Sequence, residues 1–103
     1  MIKRAYDLFL TTLANMNRLK IISSLRRKNL NVGEILTETG LNQTTVSHNL
    51  NRLKTCGFVT VEQKGRYRYY QLNKETITPL LDIIDKHVKN NCRNVIAKKN
   101  RQR

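Results

Sequence analysis

Acidic residues are scarce in this chain: seven Asp and Glu stand against 20 Lys and Arg, a formal net charge of +13 at neutral pH. Self-repulsion of that size is relieved by a polyanion, which makes nucleic acid the leading class of partner. Cysteine is rarer still. Cys56 and Cys92 lie far apart and form no Cys-x-x-Cys pair, so neither a zinc knuckle nor a disulfide framework is signalled and reduced thiols are expected. Long apolar runs are missing as well. Nothing approaches the ~18 residues of a spanning helix and no signal-peptide pattern opens the chain, so a soluble cytoplasmic protein without a membrane partner is expected. There is no carboxylate pair suited to a cleft, no glycine-rich phosphate loop and no nucleophile beside a base, which argues against an enzyme.

What is present suffices for one domain over 1–103, since 39% of the residues are hydrophobic and no linker or repeat divides them. Ala5, Phe9 and Leu13, then Leu19, Ile22 and Leu25, recur at helical steps and predict two helices with a break at Asn15. A short third helix fits Val32 to Thr39, with Ile35 and Leu36 inward and Gly40 supplying the left-handed turn that ends it. Asn42 can cap a fourth from Gln43 to about Cys56, in which Val46, Leu50 and Leu53 make one buried stripe.

The opposite face of that fourth helix is polar and free of acids: Gln43, Thr44, Thr45, Ser47, His48, Asn51 and Arg52. Two helices joined through a glycine-containing turn, the second with such a face, make a helix-turn-helix, and 43–56 is its recognition helix. Side chains on the first exposed turns can reach base edges, while Asn51 and Arg52 suit backbone phosphates. An ordinary solvated helix face would look the same. His48 is read either as a pH-sensitive contact or as a hydrogen-bonding surface residue.

After Gly57 the period becomes alternating. Phe58–Val61 and Tyr67–Leu72 read as strands around a basic tip, Gln63-Lys64-Gly65-Arg66, so that 58–72 forms a wing. Lys64, Arg66 and Arg68 can meet phosphates or enter a narrow minor groove. Tyr67, Tyr69 and Tyr70 could stack on single-stranded bases, but on a small hairpin they are read as packing residues. A last helix over 78–97, with Pro79 in its first turn, carries Leu81, Ile84, Val88, Cys92 and Val95 at helical steps, widened by Leu80 and Ile83. That stripe can bury itself on its own domain or on a second copy. The basic run from Lys86 to Arg103, ending in the tail 98–103, is either a solvated end or an arm that adds phosphate contacts.

Four segments, in order and at matching spacing, resemble the ArsR/SmtB winged-helix repressors over nearly the whole chain. Leu13–Ile22 resembles that family's Leu-Ala-Asp-Pro-x-Arg-Leu-x-Ile-Leu opening, with Asn15-Met16 in place of Asp-Pro. Thr45–Leu50 is similar to its recognition-helix string, with Asn49 where a histidine is common. Leu53–Val59 resembles the exit into the wing, and Gly65-Arg66 with Tyr69–Leu72 the second wing strand. The resemblance implies a dimer held by the first and last helices, a recognition helix in the major groove and wing tips near the minor groove.

Many members of that family bind metals, and neither of their sites is complete here. Asn31 and Gly33 stand where its Cys-x-Cys would lie. Asp85-Lys86-His87 matches half of its other site, but the remaining half falls near Lys98 and Arg101, which cannot ligate a metal at neutral pH. Asp82, Asp85, His87 and Cys92 have no recognised ligand spacing, and Cys92 is either a thiol sensor or inert packing. Cys56 is expected in the core. The expectation is therefore a mainly α protein with a small β-hairpin wing, a homodimeric, sequence-specific regulator of double-stranded DNA. It would act as a repressor with no cofactor, metal or identifiable small-molecule ligand. A basic protein that binds DNA or RNA without sequence preference through the same fold is the alternative.

Overall fold

Three asparagines set where the helices begin. In the computed structural model of the chain, which describes residues 2–92, Asn15 is more than a break. Its backbone is extended and its Oδ1 accepts the Arg18 N–H at 3.1 Å, capping α2 (Met16–Arg27) behind α1 (Ile2–Leu13). Asn31 and Glu34 form a reciprocal capping box on α3 (Val32–Thr39): the Glu34 N–H donates to Asn31 Oδ1 at 2.8 Å and the Asn31 N–H to Glu34 Oε1 at 3.0 Å. Asn42 caps α4 (Gln43–Thr55) by accepting the Thr45 N–H at 2.8 Å.

Glycine ends two of these helices. Gly40, at φ 73°, donates its N–H to the Leu36 carbonyl and turns the chain from α3 into α4. Gly57, at φ 76°, donates to Lys54 while Phe58 donates to Leu53, the paired bonds of a Schellman motif. That motif delivers Phe58 to the interior directly after α4. Phe58 is fully buried and stacks on Phe9 of α1, ring centroids 5.0 Å apart. Around it lie Ile21, Ile22, Leu25, Leu30, Ile35, Val46, Leu50, Leu53, Val59 and Leu72, with α2 packed on α3 and α4, and α4 on β1. The expected α4 stripe is thus buried. Leu36 is only partly so, and Leu19 sits at the surface.

The wing is an antiparallel hairpin of β1 (Val59–Lys64) and β2 (Tyr67–Leu72), in register from Val59 opposite Leu72 to Lys64 opposite Tyr67. The first strand therefore runs three residues beyond the expected Val61. The tip is only Gly65-Arg66, a two-residue turn whose leading glycine has φ 62°. Leu30 pairs with Tyr70 through two backbone hydrogen bonds, 2.8 and 3.1 Å, which fixes the hairpin to the helices. Asn73 ties its base, N–H to the Phe58 carbonyl and Nδ2 to the Gly57 carbonyl. Helices with this hairpin make the winged helix-turn-helix architecture.

Two compact units divide between Asn73 and Lys74, where the sequence reads as a single domain. In the second, α5 (Ile77–His87) has Pro79 in its first turn and is followed by a π-helical stretch, Val88–Cys92. Among the described residues the regular α-helix within the expected 78–97 span thus ends at His87 and winds on as a π-helix. Asn91 donates its side chain to the His87 carbonyl at 3.1 Å and so competes for the acceptor that the α-helical ladder would use. Ile77 and Leu81 are buried, Ile83 and Val88 exposed. Val95, the last helix beyond 92 and the basic tail 98–103 lie outside the described residues.

Candidate nucleic-acid interface

Helical spacing divides α4 into two faces. Val46, Asn49, Leu50 and Leu53 are buried, whereas Gln43, Thr44, Ser47, His48 and Asn51 are exposed along one stripe. Asn49 belongs to the buried side, where its Nδ2 donates to the Thr45 carbonyl at 2.8 Å. Thr45 itself is half-buried at the edge of the stripe. α4 contains no Asp or Glu, so its exposed face offers hydroxyls, amides and an imidazole without a charge that repels phosphate.

Arg52 departs from the sequence-based assignment. Its side chain is half-buried, and its Nε and Nη2 donate to Thr12 Oγ1 at 3.3 and 3.1 Å. Thr12 is itself fully buried, donates to the Leu8 carbonyl at 2.7 Å and lies 3.6 Å from Cys56 Sγ. Arg52 thus fastens α4 to α1 rather than standing on the outward stripe. Cys56, expected in the core, is half-buried at this junction. Lys54 was not singled out by the sequence reading. It is exposed three residues beyond Asn51 and continues the stripe, a position that helical spacing alone would have indicated.

On the wing, Lys64, Arg66 and Arg68 are all exposed. Lys64 ends β1, Arg66 occupies the turn and Arg68 lies on β2 opposite Gln63. Tyr67 and Tyr69 alternate to the other face of the hairpin, rings 6.4 Å apart; Tyr67 is 58% exposed, so only Tyr69 and Tyr70 serve as partly buried packing residues.

No group of three or more His, Cys, Asp or Glu side chains comes together among the described residues. Asn31 and Glu34 are engaged with each other in the capping box. His87 is exposed, its Nδ1 3.4 Å from Asn91 Nδ2. No described helix is long and apolar enough to cross a membrane.

Residues 15–61, from the cap of α2 into β1, match the bacterial regulatory protein arsR family. The chain is 38% identical over 72 residues to the HTH-type transcriptional regulator Rv0324 of Mycobacterium tuberculosis, covering 70% of this chain and 32% of that one. It is 28% identical over 78 residues to the transcriptional repressor SdpR of Bacillus subtilis, covering 72% and 87%. The first three curated relatives are matched over only 32%, 60% and 61% of their lengths. Among solved structures, the homodimeric winged helix-turn-helix DNA-binding domain of Mb0332 from Mycobacterium bovis superposes with a TM-score of 0.75 at 31% identity, covering 86% of each chain. With the helix-turn-helix inside the matched segment and that likeness extending over nearly the whole solved relative, the chain belongs to the arsR family of bacterial regulatory proteins.

Proposed function

We propose that this chain is a sequence-specific, double-stranded DNA-binding transcription regulator that acts as a homodimeric repressor. The observation that carries the reading is the acid-free exposed stripe of α4, flanked by the basic hairpin tip Lys64-Gly65-Arg66. In this reading Gln43, Thr44, Ser47 and His48 approach base edges in the major groove and Asn51 a neighbouring phosphate. Lys64 and Arg66 meet phosphates or the minor groove, and Arg68, on the hairpin face opposite Lys64, meets a phosphate. Thr45 stands at the edge of that contact, and Arg52 supports the helix through Thr12.

The dimer would form through α1 and α5. Taken separately, α1 exposes Tyr6, Leu8 and Leu10, and the second unit exposes Ile83 and Val88, apolar surface that a second copy would cover. The homodimeric state of the Mb0332 domain and the repressor role in SdpR's name support this reading. No cofactor, metal or small-molecule ligand enters it.

Fluorescence anisotropy tests the proposal, with the DNA upstream of the protein's own coding sequence compared with a shuffled duplex at low and at physiological salt. Site-specific regulation predicts binding at least ~10³-fold tighter to the native sequence at physiological salt. Equal affinities that collapse together as salt rises would instead identify a charge-driven binder of DNA or RNA, the reading that the net charge of +13 favours.

A further inference from the structure

We propose that a recess between α4 and the wing seats a single backbone phosphate of the bound duplex, held jointly by Lys54 and Arg68; this rests on the duplex-binding reading above. The recess has a volume of about 200 Å³ and is lined by Ser47, Asn51 and Lys54 from α4 and by Arg68 and Tyr70 from β2, with buried Leu50 beneath. Cavities that take drug-sized organic ligands begin at roughly 300 Å³, so this one suits a small group.

The secondary structure explains why donors converge there. Ser47, Asn51 and Lys54 fall at i, i+4 and i+7, one line along the helix. Arg68 and Tyr70 fall at i and i+2, one face of the strand. The nearby acid, Glu62, is paired with Tyr69 and therefore projects from the opposite face of the hairpin. No carboxylate lines the recess, and among the described residues neither Lys54 nor Arg68 is paired with one. Two unpaired cations beside two hydroxyls and an amide form a site for an anion, because charge-assisted hydrogen bonds to both can be made at once. The wall is firm, since Tyr70 is fixed to Leu30 by backbone bonds in both directions. The seat also adjoins Ser47 and Asn51 of the recognition stripe. A phosphate held there would set the depth and register of α4 in the groove.

The test is the salt dependence of duplex binding for the unsubstituted protein, Lys54→Gln, Arg68→Gln and the double variant, with Lys20→Gln as a control for net charge. Both lining cations are exposed, and unchanged unfolding midpoints would verify that the variants fold. A shared phosphate stays neutralised when one cation is lost. Each single variant should therefore keep the slope of log K against log salt, while the double loses about 0.9 per bound protomer. Independent contacts would instead lower the slope by about 0.9 in each single and about 1.8 in the double, which overturns the shared seat; so does an unchanged slope in the double. If the unsubstituted protein binds no duplex, the reading of function fails by itself and so does a duplex phosphate. Inorganic phosphate then decides the recess by amide NMR. Shifts confined to Ser47, Asn51, Lys54, Arg68 and Tyr70 and absent from the double variant would keep an anion seat filled from a free phosphate; no shifts would overturn it.

Discussion

Replacing Thr12 by valine keeps the shape of a fully buried side chain and removes the oxygen to which Arg52 donates twice, at 3.3 and 3.1 Å. Hydrogen bonds to a charged group contribute roughly 1.5–3 kcal/mol where both partners are buried. Arg52 is half-buried and its freed N–H groups can turn partly to water, so the lower end applies. Valine also removes the bond from Thr12 Oγ1 to the Leu8 carbonyl. Its added methyl group offsets part of the loss. A net destabilisation of about 1–2 kcal/mol follows. It is measured by urea unfolding at fixed protein concentration, because self-association would shift the apparent stability. Thr12→Ser, which retains the hydroxyl, should lose less, and a cycle of Thr12→Val with Arg52→Gln should show a coupling of at least about 0.5 kcal/mol. Arg52→Gln should leave the salt slope of DNA binding unchanged. Additive effects in the cycle, together with a slope reduced by about 0.9 per protomer, would refute the reasoning and return Arg52 to the DNA surface.

Phe58→Ala removes the fully buried ring stacked on Phe9 and should destabilise by about 3–5 kcal/mol in the same urea assay. Gly57→Ala forces an L-residue to φ 76° at the end of α4 and should cost about 1–2 kcal/mol, seen as a lower midpoint of thermal unfolding. Asn42→Ala removes the cap of α4 and should cost about 1 kcal/mol of stability, measured by urea unfolding. Ser47→Ala and His48→Ala should each weaken discrimination between native and shuffled duplexes by about 1–3 kcal/mol in anisotropy titrations, with the salt slope retained.

Features set by neighbours in sequence were legible before any coordinates. The bounds of α3, the left-handed Gly40, the cap at Asn42 and the buried line Val46, Leu50, Leu53 all follow from spacing and local chemistry, and all are present. Arg52 shows where that kind of reading stops. It follows Asn51 by a rotation of about 100°, which puts it on the flank of α4. A long side chain there can reach outward to a phosphate or inward to a neighbour. The Thr12 hydroxyl, 40 positions away in sequence, settles the matter, and only tertiary packing brings it near. The extension of β1 to Lys64 has a local origin in the turn type. Glu62, Gln63 and Lys64 gain ladder partners because Gly65-Arg66 closes the turn in two residues.

The start of α3 shows how an altered motif is put to another use. Asn31 and Gly33 occupy the positions where the resemblance to metal-binding repressors places a Cys-x-Cys. A cysteine thiol at position 31 could not supply the amide oxygen that accepts the Glu34 N–H, and Glu34 would lose its reciprocal partner geometry. A β-carbon at position 33 would stand 3.4 Å from Asn31 Oδ1, ordinary contact, so the glycine is not required by space. The cap depends on Asn31, not on Gly33. The local stability of this helix start therefore comes from side-chain hydrogen bonds made within one chain, in a segment whose Leu30 also holds the wing through Tyr70. The cap of α3 and the hydrogen bonds that hold the wing beside the recess thus share one short stretch of backbone, Leu30-Asn31.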